Sequence, residues 1–62
     1  MSKSDYIIIT IKNNGYGTIK TENCDHEITK NQANCLIVST KKNKNLIKTN
    51  NYNNGDVEYV FN

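Results

Sequence analysis

The chain contains no arginine, no proline and no tryptophan, and its apolar runs are short. Without arginine there is no guanidinium for the bidentate contact to guanine that dominates base-edge readout of DNA. Without about 20 consecutive apolar residues there is no membrane-spanning helix, and Met1 to Asp5 lack the basic start and apolar stretch of a secretory signal. Neither a glycine-rich phosphate loop nor an aromatic pair of the RNA-binding type is present. The 62 residues are expected to form a single domain, residues 1–62. A domain this small buries only about 60% of the surface its unfolded chain exposes, so its core is thin and a deep two-domain enzyme cleft does not fit. The expected location is the cytoplasm, with no membrane partner.

What the chain does have is asparagine, twelve residues of it, with eight isoleucines and eight lysines. All three share AT-rich codons, so their joint excess reports on the genome before it reports on the fold. The net charge is only +2, and the Ile, Val and Tyr residues are bunched into short periodic runs. That pattern reads as a folded domain with asparagine-rich turns rather than a disordered chain.

Tyr6 to Lys12 is β-branched and aromatic, with Ile7, Ile9 and Ile11 on one face and Tyr6, Ile8 and Thr10 on the other. Asn13-Asn14-Gly15-Tyr16-Gly17 then forms a turn signal, and Thr18 to Glu22 completes a hairpin. A two-residue Asn14-Gly15 turn would pair Ile11 with Thr18 and set Lys20 opposite Ile9. An odd-length loop pairs Ile11 with Ile19 and Ile9 with Thr21, which keeps the lysine off the isoleucine face. The sequence therefore predicts a three- or five-residue loop with Gly15 or Gly17 in the left-handed region.

Thr29 and Gln32 match a capping box, with Ile28 and Ala33 placed as its hydrophobic staple. Ala33, Leu36, Ile37 and Thr40 recur at helical spacing, and Lys41, Lys42 and Lys44 lie where cations favour a helix C-terminus. A helix from about Lys30 to Lys41 follows. Asn45 to Thr49 and Val57 to Phe61 are strands joined by Asn50 to Asp56, whose Asn54-Gly55 marks a second hairpin. Val57, Tyr59 and Phe61 alternate onto the face that meets Leu36 and Ile37. The predicted fold class is α+β: a small ββαββ domain, an antiparallel sheet with one helix packed on it. A competing reading takes Cys35 to Thr40 as a strand, and six short strands would then suggest a small all-β barrel.

Cys24, Asp25, His26 and Glu27 stand together, with Cys35 eleven residues on. Structural zinc wants four ligands in paired spacings, and here there is one Cys-x-His and one lone Cys. Two free thiols, Cys35 partly buried on the helix, are the expectation for a cytosolic chain; a Cys24–Cys35 disulfide is the alternative for an exported one. A Cys24/His26 nucleophile pair would need the base within reach of the thiol and a separate oxyanion site, and spacing supplies neither. The cluster reads as a solvated acidic linker. No catalytic residue, metal or cofactor is expected.

Charge is uneven along the chain. Residues 28–55 hold Lys30, Lys41, Lys42, Lys44 and Lys48 and no acid, whereas residues 1–27 hold three lysines against four acids. Lys41, Lys42, Lys44, Lys48 and Tyr52 are the candidate binding residues: the lysines act as point charges toward phosphate or an acidic protein face, without reading sequence. A single helix covers one face of a sheet, so Tyr6 and Ile8, or the Ile7 set, must face solvent or a partner. A homodimer or a docked protein would account for such a face.

The compact size, the Asn/Lys/Ile composition, and the order of a hairpin, a helix opened by Ile28-Thr29-Lys30-Asn31-Gln32-Ala33 and a second hairpin resemble the short accessory proteins of phages and mobile elements in AT-rich Gram-positive bacteria. Many of these look like inhibitors of host defence, including anti-CRISPR proteins that bind a nuclease or its guide complex. The resemblance implies a non-enzymatic inhibitor that occludes a surface on a host protein or ribonucleoprotein in the host cytoplasm. It carries over no site residue, and the net charge of +2 departs from the strongly acidic inhibitors that mimic DNA. The rival expectation is a small basic nucleic-acid-binding or regulatory protein, whose affinity would fall steeply with salt.

Overall fold

The computed structural model describes residues 6–62. Its elements are β1 (Ile7–Ile11), β2 (Tyr16–Thr21), β3 (Asp25–Thr29), α1 (Lys30–Asn43), β4 (Leu46–Asn51) and β5 (Val57–Phe61). The five strands form one antiparallel sheet in the order β3-β2-β1-β5-β4. The α+β class with one helix on an antiparallel sheet is what the sequence predicts, and the sheet is open, so the barrel alternative falls.

The sequence reading differs from the structure at β3. Asp25 to Glu27 is not a linker but most of an edge strand, in register with β2 from Tyr16↔Thr29 to Lys20↔Asp25. Asp, His and Glu have little intrinsic strand preference. Here the ladder to β2 supplies it, as tertiary pairing commonly overrides propensity. The single apolar residue of the strand, Ile28, lies opposite Gly17 and packs against the core.

The first hairpin closes through Asn13-Asn14-Gly15. Lys12 N–H donates to Tyr16 O at 2.8 Å, and Gly15 has φ +92°, so the three-residue loop and its left-handed glycine are as predicted. The pairing is shifted by two residues, with Ile9 opposite Ile19 and Ile11 opposite Gly17. A two-residue shift preserves which side chains share a face, and Lys20 lies opposite Ile8, off the Ile7/Ile9/Ile11 face. The second hairpin repeats the device with Asn53-Asn54-Gly55, Gly55 at φ +98° and Tyr52 N–H donating to Asp56 O at 2.9 Å. Gly17 is not a turn residue at all.

The helix rises directly from β3. Thr29 is its N-cap: the hydroxyl accepts from Gln32 N at 3.2 Å, while the Gln32 amide oxygen accepts from Thr29 N at 3.1 Å, completing the predicted box. The helix runs two residues past Lys41, and Lys44 N–H donates to Thr40 O at 2.8 Å at its end. Ala33, Ile37 and Thr40 are buried and Leu36 half-buried, the face that the helical spacing marks. They meet Ile9 and Phe61, the two large side chains with no exposure among the described residues, ringed by Ile7, Ile11, Ile19, Ile28 and Tyr59.

Gly17 decides how closely these layers approach. A Cβ at this position would lie 2.7 Å from Thr10 O and 3.0 Å from Ala33 Cβ, so the helix seats at Ala33 against bare backbone. We expect Gly17→Val to lower stability by about 1–3 kcal/mol, the usual cost of overpacking, and Thr29→Ala by about 1 kcal/mol through loss of the cap. Denaturant midpoints at unchanged slope would measure both. A Gly17→Val midpoint equal to that of the parent would contradict this account of the helix seat.

Candidate binding surface

Because paired residues in a sheet share a face, the register sorts the exposed side chains. Ile7, Ile9, Ile11, Gly17, Ile19, Tyr59 and Phe61 lie under the helix. Among the described residues, no helix or loop covers the opposite face. Across it run three rows: Asp25–Lys20–Ile8–Val60–Lys48, then Glu27–Thr18–Thr10–Glu58–Asn50, and at the turn end Tyr16, Lys12, Asp56 and Tyr52. The middle of this face carries short side chains, with Ile8, Thr10, Thr18 and Val60 all half-buried. Tyr16 and Tyr52, 49% and 48% exposed, stand at its two sides about 14 Å apart, three strand spacings. Three lysines and three carboxylates lie among them, besides Asp56, so the face carries both signs of charge.

The turn end is held by hydrogen bonds between the two hairpins. Asn13 N–H donates to Asp56 Oδ1 at 3.0 Å, and the Asn13 side-chain amide donates to Asn54 O. Within each loop the central asparagine accepts from the backbone two residues on: Asn14 Oδ1 from Tyr16 N and Asn54 Oδ1 from Asp56 N, both at 3.1 Å. Gly15 O in turn accepts from Lys30 N at 3.1 Å, tying the first turn to the helix start.

The structure divides the predicted binding set. Lys41 and Lys42 lie in the last turn of the helix and Lys44 at its C-cap, on the helix side of the sheet and at the end away from the turns. Lys48 and Tyr52 lie on the open face, on edge strand β4 and its turn. Among the described residues, no continuous lysine groove joins the two groups. Near Glu58, Tyr52 Oη donates to Oε1 at 2.9 Å and Asn50 Nδ2 to the same oxygen at 2.8 Å. The bond to the Glu58 carboxylate, with burial and the Asp56 charge adding to it, raises the Tyr52 phenol above its ordinary value. The sequence reading did not single out Lys12, Tyr16, Lys20 or Glu58. The signal for Lys20 was present, since keeping it off the isoleucine face puts it on the other one.

The cysteines stand apart. Cys24 is in the β2–β3 turn and Cys35 on the helix; both thiols are free and exposed. Cys35 is thus not partly buried as expected: it lines an apolar groove of about 380 Å³ with Ile28, Asn31, Gln32 and Leu36. Among the described residues, no three His, Cys, Asp or Glu side chains are grouped to hold a metal ion, and no helix is long and apolar enough to cross a membrane. No protein-family model matches the chain, and no curated protein or solved structure is significantly similar to it.

The Tyr52–Glu58 pair gives a direct check on the open face. A raised phenol keeps its proton to higher pH, so its contribution to stability is complete below the ordinary tyrosine range and is lost as pH rises through the elevated value. In an ultraviolet titration, the transition removed by Tyr52→Phe should be a late one, and Glu58→Gln should move it to lower pH. An unchanged Tyr52 transition in Glu58→Gln would show that the bond does not form in solution.

Proposed function

We propose that this chain is a non-enzymatic binding module that acts by covering a surface on a macromolecular partner with the open face of its sheet. The observation that carries the reading is the composition of that face: an Ile/Val/Thr centre, flanking tyrosines, and lysines interspersed with Asp25, Glu27 and Glu58. Tyrosine supplies large, rigid contact area at low entropic cost, and mixed charges select a partner of complementary pattern. A polyphosphate track would meet repulsion from the carboxylates, so a protein surface suits this face better than a bare nucleic acid. The lysines at the helix end form a separate positive patch, suited to phosphates or acidic side chains bordering the contact.

The resemblance in size, composition and element order to phage accessory proteins supplies the class of partner: a host defence nucleoprotein such as a CRISPR–Cas effector, occluded in the host cytoplasm. A partner that carries both protein and RNA would engage the mixed-charge face and the lysine patch together. The function requires no cofactor and no catalytic residue.

The test is capture with the tagged full chain from a defence-competent bacterial lysate, beside Thr18→Arg, Lys20→Glu and Lys41→Glu/Lys42→Glu variants confirmed as folded by circular dichroism. One host nucleoprotein should be recovered. Its recovery should fall at least about tenfold with either open-face variant, the effect of losing about 1.4 kcal/mol, and less with the helix pair. If no specific partner is recovered and the chain instead binds free DNA or RNA with steep salt dependence, the rival nucleic-acid reading replaces this one.

A further inference from the structure

The two hairpins close through the same tripeptide, Asn13-Asn14-Gly15 and Asn53-Asn54-Gly55, in the same geometry. An asparagine followed by glycine is chemically vulnerable, because the unhindered glycine amide can attack the side-chain carbonyl. The two turns differ in how they restrain that attack. Gly55 N–H is held by Tyr52 O at 3.0 Å, Asn54 Nδ2 donates to Asp56 Oδ2 at 3.3 Å, and Asn54 O accepts from the Asn13 side chain. A Cβ on Gly55 would lie 3.2 Å from Asn13 Cβ, so the second turn is packed as well as bonded. Gly15 N–H reaches Lys12 O only at 3.4 Å, beyond the usual range for N–H···O bonds. Nothing lies within 4 Å of a Cβ placed on Gly15, and the side-chain bond found for Asn14 is the one from Tyr16 N.

We infer that Asn14 is a site of spontaneous deamidation and that the contact between the two turns protects Asn54 from the same reaction. The Gly15 amide nitrogen, its proton taken by hydroxide, attacks Asn14 Cγ. The new C–N bond closes a cyclic imide as the Cγ–Nδ2 bond breaks and the side-chain nitrogen leaves as ammonia. Water then adds to one of the two imide carbonyls, and the ring opens to aspartate or isoaspartate, the proton returning to the Gly15 nitrogen. The sum is asparagine plus water giving the acid plus ammonia, with no change of oxidation state.

The isoaspartate product lengthens the backbone by a methylene inside a three-residue loop. That loop ends in Gly15 O, the acceptor for the first helical amide, Lys30 N–H. Conversion at Asn14 thus removes a positive unit from the net charge and loosens the junction of turn and helix, which limits the working life of the folded molecule.

The full chain is held at mildly alkaline pH, and Asn14 and Asn54 are followed by peptide mapping with mass and isoaspartate detection. Asn14 should convert at least about fivefold faster than Asn54, the rate factor associated with one retained hydrogen bond. In denaturant the two rates should converge, and in folded Asp56→Ala the Asn54 rate should rise toward that of Asn14. Amide exchange at Lys30 should be faster in the isoaspartate fraction. Equal rates in the folded chain, the same ratio in denaturant, or an Asn54 rate unmoved by Asp56→Ala would each overturn the proposal.

Discussion

The helix sits on this sheet as closely as it does because Gly17 and Ala33 meet with almost no side chain between them. That approach brings Ile37 onto Ile9 and lets Phe61 lose all contact with solvent, so two large side chains suffice for the centre of the core. It also fixes the helix over β1, β2 and β3, leaving the far side of the sheet less covered. Leu46 stays 39% exposed on the helix side of β4 as a result. A larger residue at position 17 or 33 would lift the helix and open the interior of a domain that has little interior to spare.

Much of this was legible in the sequence, for identifiable reasons. The capping box of Thr29 and Gln32 is a local hydrogen-bond pattern that needs no tertiary information, and it marked the helix start. The preference of lysine for solvent determined the parity of the first hairpin, and with it the face that meets the core. What could not be read is what the rest of the fold supplies. Nothing in Asp25-His26-Glu27 favours a strand; only the free edge of β2 does. The two-residue offset in the first hairpin leaves every residue on its proper face, so the alternation used to argue the register cannot detect it. The division of the lysines arises from the same source. Lys44 and Lys48 are close in sequence, but the chain passes from helix layer to sheet edge between them and sends Lys48 to the opposite side of the molecule.

The open face and the helix-end lysines are therefore two surfaces with different physics. The first is mixed in charge and held by the ladders of its sheet; the second is a set of cations at a helix terminus, where the dipole already favours them. A partner that uses only the second would be held by screened, long-range attraction. One that covers the first must match shape and charge together, so in the proposed function specificity would reside there.

Five is an odd number of strands, and in an antiparallel sheet this makes the two edges run in the same direction. A second copy laid beside the first in the same orientation would have to join β4 to β3 in parallel, a pairing that the present ladders do nowhere. A half-turn of the copy in the plane of the sheet, which keeps both helices on one face, restores antiparallel geometry but brings like edges together. At β3 that opposes Asp25 and Glu27 with their own counterparts. At β4 it meets the bulge between Leu46 and Lys48, where Ile47 interrupts the register and is 60% exposed. With the helices on one face, sheet growth by strand addition thus meets an obstacle at each margin, charge at β3 and a bulge at β4.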